Sequence, residues 1–226
     1  MSLPNAAPPA TNPPPAEAGA PCGRRAQRRA ERRAAIIDVA YRSFLDQGYA
    51  ATSMSGIAAA LGGSKGTLWN YFASKELLFA AVLDHGAQTF QANIARELTG
   101  PGDLENILRR FVRAFLGKIT SAEGISLYRM IVAEAGRFPE LGRIFQERAM
   151  GRTRAVLAGY LAGAMGAGQL RAGDPLRAAY ELLGLCSIGT QPLLLLGQIE
   201  RAAPEVLEDE GRLAVALFLR AYAPGD

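Results

Sequence analysis

The chain has 226 residues, 49% of them apolar, which is enough to build a real core in one large domain or two smaller ones. It carries two cysteines far apart in sequence, Cys22 and Cys186, and one histidine, His85. That excludes a disulfide framework and a clustered zinc site, and it fits a reducing cytoplasm. The net charge of +4 is localised: residues 1–80 hold nine Lys/Arg against five Asp/Glu, and the rest of the chain holds 16 of each. A basic end points to a polyanionic partner, with a solvated charged face as the alternative.

Residues 1–21 contain seven prolines and no apolar signal-peptide core, so residues 1–23 are expected to form a disordered, polyproline-like tail. Six arginines follow between Arg24 and Arg33. They lead into a helix over about 26–46, with Ile36, Ile37, Ala40, Phe44 and Leu45 on one face and Gly48 as its left-handed stop. Thr52 is placed to cap a second helix that ends at Gly62. Ser64 is placed to cap a third, over about 65–71, with Leu68 and Phe72 turned inward. Ser74 caps a long fourth helix, on which His85 is expected to be a satisfied surface or core residue. Asp103 caps a helix to about 120, and another covers about 123–136. Pro139 opens one to about 164. Asp174-Pro175 starts one to about 198 that Pro192 is expected to kink, and Pro204 starts the last, to about 222. No segment alternates like a strand, so the expected fold is all-α. Leu182 to Ile199 is uncharged over 18 residues, but it includes Gln191, Pro192, Gln198 and three glycines. It reads as a buried helix or a helix–helix interface rather than a membrane span.

Two short helices joined by a glycine turn, "LGGSKGTLWNYF", fit a helix-turn-helix. A recognition helix meets the major groove with its first turn. Small residues there, Ser64, Gly66 and Thr67, allow close backbone approach, and Lys65 adds charge beside free N–H groups. Trp69, Asn70 and Tyr71 offer an indole N–H, an amide and a phenol toward sugar-phosphate or base edges. Thr52 and Lys75 begin the flanking helices, where amides could hold phosphates. The alternative is an ordinary three-helix packing unit with a polar face.

The segment "GYAATSMSGIAAALGGSKGTLWNYFASKELLFAAVL" resembles the DNA-binding domain of the TetR/AcrR transcriptional regulators over about residues 34–83. Carrying the resemblance are Gly48-Tyr49, Thr52, Ile57-Ala58, Ser64 to Leu68, Tyr71-Phe72 and Ser74 to Glu76. Gly63 departs from the usual small aliphatic of the turn, and Trp69 from the usual Tyr. "YRMIVAEAGRFPEL", residues 128–141, resembles the C-terminal domain of an AefR-like subgroup.

The resemblance implies an N-terminal helix-turn-helix domain (24–76) followed by a helical ligand-binding and dimerisation domain (77–226). The protein would be a homodimer on a palindromic double-stranded DNA operator, most often a repressor, released by a small-molecule effector, without metal, cofactor or membrane. Lys65, Tyr71, Lys75 and Thr52 would contact phosphate, and Thr67 and Asn70 base edges. Arg24 to Arg33 would serve as an arm or remain a solvated charge run. Phe90, Phe111, Phe115, Tyr128, Met130, Phe138, Phe145 and Tyr160 are candidates to line the effector pocket, although plain core would use the same residues. Glu134 would recognise a polar or cationic effector group or pair with an arginine. Leu182, Leu183, Leu185, Leu193, Leu194, Leu213, Leu217 and Phe218 would form the dimer face. The sequence shows no paired carboxylates, Ser/His/Asp set, phosphate loop or metal cluster, so an enzyme is not expected. A helical small-molecule-binding protein without specific DNA binding is the other reading.

Overall fold

A computed structural model describes residues 21–62 and 65–224, which leaves residues 1–20 of the proline-rich tail, Gly63, Ser64, Gly225 and Asp226 outside the described residues. Eleven α-helices and one π-helical turn account for the regular structure, with no strand among the described residues. The helices are α1 (Pro21–Ala51), α2 (Met54–Ala60), α3 (Lys65–Trp69), α4 (Lys75–Thr99), α5 (Leu104–Ile119), α6 (Ala122–Glu134), α7 (Pro139–Phe145), α8 (Gly151–Gly166), α9 (Pro175–Leu185), α10 (Thr190–Leu195) and α11 (Pro204–Ala221).

Several boundaries follow from local chemistry as the sequence predicts. Gly48 has φ 81 and ψ 167 and breaks α1 three residues before its end. Gly62 has φ 63 after α2. Ser74 accepts from Leu77 N, Asp103 from Asn106 N and Asp174 from Leu176 N, which satisfies amides that have no acceptor within their helices.

Other boundaries differ. The first helix starts at Pro21 rather than 26, so Arg24 to Arg33 is helical throughout and largely exposed. The cap of α2 is Ser53, whose Oγ accepts from Gly56 N. Thr52 lies one residue outside and is buried. The 174–198 helix is two, broken at residues 186–189. Pro192 causes no kink, because it sits in the first turn of α10, where a missing N–H costs nothing. The predicted 139–164 helix runs to Gly166 with a π turn over Gln146–Met150. A Cβ on Gly151, at the end of that turn, would stand 2.7 Å from Gln146 O, so glycine suits the wider winding.

Two apolar cores result. The N-terminal core joins α1, α2, α3 and the first half of α4, through Leu83, with Met130 and Ile131 of α6 and Leu141 and Ile144 of α7. At its centre Tyr49 packs against Phe44, Phe79 and Phe138 with ring centroids 5.4–5.5 Å apart. The edge-on pairs among them add about 0.5–1.5 kcal/mol each beyond area burial. The second core joins the rest of α4 with α5, α8, α9 and α11. Leu182, Leu183 and Phe218 are spent there and Leu194 is also buried, so these four are not the free dimer face the sequence suggests. Among the described residues no helix is long and apolar enough to cross a membrane.

Candidate functional site

The helix-turn-helix divides its side chains by face. Leu68 and Phe72 are buried in the N-terminal core, while Gly66, Thr67, Trp69 and Asn70 are exposed. Trp69 stands 48% exposed, an unusual position for an indole with no partner surface. Tyr71 is half-buried, and the Arg29 guanidinium lies 5.8 Å from its ring centre. Arg33 sits likewise over Phe72 at 5.2 Å. The backbone of Lys65 opens α3, and its side chain lies outside the described residues, as does Ser64. None of Arg24, Arg25, Arg28, Arg29, Arg32 and Arg33 forms an ion pair among the described residues. This half of α1 is therefore a basic ridge that leans on the far end of α3.

Two predicted phosphate contacts are engaged inside the protein instead. The Thr52 hydroxyl donates toward Gly48 O at 2.8 Å and Ser43 O at 2.9 Å, fastening the turn after α1. Lys75 Nζ donates to Tyr49 O at 2.5 Å and Thr52 O at 2.8 Å, and lies 4.1 Å from the Tyr49 ring centre. Burial lowers the Lys75 pKa, against the neighbouring Glu134, Glu76 and Glu140 carboxylates. Its ammonium closes the Tyr49 and Thr52 carbonyls, which the end of α1 at Ala51 leaves without helical partners.

Glu134 completes the same turn from the other side and does not reach the cavity. Its carboxylate accepts from Tyr49 N at 2.7 Å and Ala50 N at 2.6 Å. Phe138, also expected at the effector, packs on Tyr49.

The cavity lies between α4, α5, α6, the π turn, α8 and α10, with a volume of about 190 Å³. Phe90, Phe115, Tyr128 and Phe145 line it as expected. Phe111, Tyr160 and Met130 do not, because they pack in or against the two cores. The sequence reading misses the polar lining: Gln91, Thr153, Ser187, Gln191, and the Tyr41–Lys118–Glu123 group at one end. Gln91 Nε2 donates to Thr153 Oγ1 at 3.0 Å, and the Gln191 carboxamide has no hydrogen bond among the described residues. Tyr41 donates to Glu123, and Lys118 pairs with Glu123 at 3.0 Å. These bonds hold the Glu123 carboxyl below the usual range, the Tyr41 bond most. Lys118 and Glu123, the only charged groups on the lining among the described residues, thus neutralise one another. Leu83, Ala87, Phe90 and Gln91 share one face of α4 at helical spacing, which is the signal that would have found Gln91. A wider surface cleft of about 760 Å³ shares Tyr41, Val82, Gly86, Phe90, Lys118 and Glu123 with the cavity.

Outside the cavity lining, Leu176, Tyr180, Leu193, Leu196, Leu213 and Leu217 of α9, α11 and the α10 region are 40–73% exposed. Cys186 is buried, and burial pushes its thiol up to about 12, so it is unreactive at neutral pH. No group of His, Cys, Asp and Glu among the described residues could hold a metal ion.

Residues 36–82 match the family model described as bacterial regulatory proteins, tetR family. Residues 106–224 match that of the AefR-like transcriptional repressor, C-terminal domain. No curated protein matches the chain. Among solved structures, the Flavonoid-responsive Regulator FrrA is 34% identical with a TM-score of 0.75, covering 87% of this chain and 100% of that one. A TetR-family regulator from Mesorhizobium loti MAFF303099 is 30% identical with a TM-score of 0.74, covering 86% and 98%. Another, from Pseudomonas syringae pv. tomato str. DC3000, is 25% identical with a TM-score of 0.65, covering 85% and 97%. These relatives are transcriptional regulators and not enzymes. With a family model spanning more than half its length and a helix-turn-helix where that family has one, the chain belongs to the TetR family of bacterial transcriptional regulators.

Proposed function

We propose that the protein is a cytoplasmic, ligand-responsive repressor that binds a palindromic operator as a homodimer and is released by a small molecule. The observation that carries this reading is the outward face of α3. Gly66, Thr67, Trp69 and Asn70 stand exposed beside an unpaired arginine ridge, while Leu68 and Phe72 fix the helix from behind. Gly66 permits close approach, and Thr67 and Asn70 read base edges. Ser64, Lys65, Trp69 and Tyr71 serve the sugar-phosphate backbone. The ridge from Arg24 to Arg33 extends the phosphate contact beyond the groove. The match to an AefR-like repressor domain supports repression over activation.

The exposed apolar side chains of α9 to α11 supply the dimer face, where the same helices of two subunits pair about a two-fold axis. That symmetry sets two recognition helices on successive major grooves, about 34–36 Å apart. The effector occupies the cavity. Its aromatic walls, two carboxamides and mutually neutralised charges suit a flat, uncharged aromatic molecule with hydroxyl or carbonyl groups. FrrA, whose name records a response to flavonoids, supports that class.

The test is duplex binding by the purified protein over a salt series, together with sedimentation. The expected result is a dimer whose affinity for its operator falls steeply with salt and whose operator complex is dissolved by a flavonoid. A monomer, or a protein indifferent to duplex DNA at every salt, would refute it.

A further inference from the structure

The turn between α1 and α2 is held by a side chain from outside the helix-turn-helix. Gly48 interrupts α1, so the N–H groups of Tyr49 and Ala50 have lost their helical acceptors. Both donate to the Glu134 carboxylate, 85 and 84 residues away, at the last residue of α6. On the other side of the same turn, Lys75 and Thr52 take up the carbonyls of Gly48, Tyr49 and Thr52. The helix that ends in Glu134 is tied to α1 a second time, at its start, where Glu123 accepts from Tyr41. The two ties are 11 residues apart, a span of about 16 Å at 1.5 Å per residue. Between them, Gly124, Leu127 and Tyr128 line the cavity. One rigid helix therefore touches the ligand space with its middle and grips the DNA-binding domain with both ends.

We propose that Glu134 is a positioning residue for DNA recognition: its grip on Tyr49 N and Ala50 N sets the pose of α2 and α3, and a ligand that displaces α6 changes that pose through it. The inference rests on the reading of the protein as an operator-binding regulator. A carboxylate suits the task because it accepts from two adjacent amides at once. A carboxamide in its place would accept from one and turn an NH2 group toward the other. Neither amide has a substitute acceptor in its own helix. Losing the grip would free the pose without unfolding the core, whose apolar residues are separate from Glu134.

The test compares E134Q with wild type on the operator recovered by selection from random duplexes and on an unrelated duplex. E140Q removes one negative charge from the next helix without touching the turn and serves as the control. The expected result is a loss of operator affinity on the order of tenfold, the weight of one charge-assisted hydrogen bond. Affinity for the unrelated duplex stays within about twofold of wild type, helical content is unchanged, and E140Q behaves as wild type. Equal losses on both duplexes, or no loss on the operator, would overturn the proposal. A second measurement needs no variant. The Tyr49 and Ala50 amides of the wild-type protein are expected to be protected from hydrogen exchange, and fast exchange at both would overturn it equally. A wild-type protein with no preferred duplex would overturn the functional reading itself, and this inference with it.

Discussion

Gly48→Ala is a demanding test of the turn. At φ 81 and ψ 167 the residue occupies a region that is essentially glycine-only, and a side chain there costs about 1–3 kcal/mol. The space is also filled. A Cβ on Gly48 would stand 2.6 Å from Glu134 Oε1, closer than carbon and oxygen pack, so the carboxylate must withdraw. Its bonds to Tyr49 N and Ala50 N are then strained or lost, each of a kind worth about 1.5–3 kcal/mol. The alanine also stiffens the unfolded chain, which offsets roughly 0.4–1 kcal/mol. With one bond lost, the net destabilisation is about 2–5 kcal/mol, a large part of the 5–15 kcal/mol typical of a folded domain. Urea unfolding followed by circular dichroism, at fixed protein concentration because of the proposed dimer, reads it as a lower midpoint at an unchanged slope. The double variant G48A/E134A separates the two causes. With the carboxylate gone only backbone strain remains, so the two single effects should sum to more than the double. A loss under about 1 kcal/mol for G48A, or full additivity in the double, would show that Glu134 and the Gly48 backbone do not hold the turn in this way.

Changing Arg24, Arg25 and Arg28 together to Ala should lower operator affinity equally across operator variants. The slope of log K against log salt should flatten by roughly 0.9 for each phosphate contact removed, as duplex titrations would read. Asn70→Ala should instead cost about 1–3 kcal/mol of discrimination at one base pair per half-site, visible as relaxed preference in binding to single-substituted operators. Leu213→Asp, on a side chain 57% exposed in one subunit, should yield a folded monomer in sedimentation if α11 pairs across the two-fold axis. Glu123 has a pKa lowered in the folded protein, so its contribution to stability is present above its ordinary value near 4.5 and is lost as pH falls through the folded value. Glu123→Gln should therefore reduce the drop in urea midpoint between pH 7 and pH 3, and an unchanged drop would remove Glu123 from the acid-sensitive groups.

Much of the architecture could be read from local chemistry. Ser74, Asp103 and Asp174-Pro175 declare their helices because a cap is a short-range interaction. Leu68 and Phe72 could be placed inside α3 from spacing alone. What escaped depends on long-range partners. By sequence, Glu134 suits an effector group or an arginine equally, and its partners are two amides 84 and 85 residues away, exposed by a glycine. Lys75 looks like a phosphate contact until the end of α1 leaves carbonyls beside it. Thr52 and Ser53 are both good caps, and only burial of the first decides between them. Phe111 and Phe115 are equally apolar and lie one helical turn apart. Tertiary packing alone turns Phe115 to the cavity and leaves Phe111 in the core. Leu182 and Leu213 differ in the same way, the first buried in its own subunit and the second exposed.

The most direct test of sequence-specific DNA binding is selection from a pool of random duplexes by the purified full-length protein, after unfolding and refolding to remove any carried ligand. The expected result is recovery of one palindrome whose half-sites lie about one helical turn apart, as two symmetry-related recognition helices require. Recovery of no enriched sequence, with every duplex bound alike and released alike by salt, would contradict it.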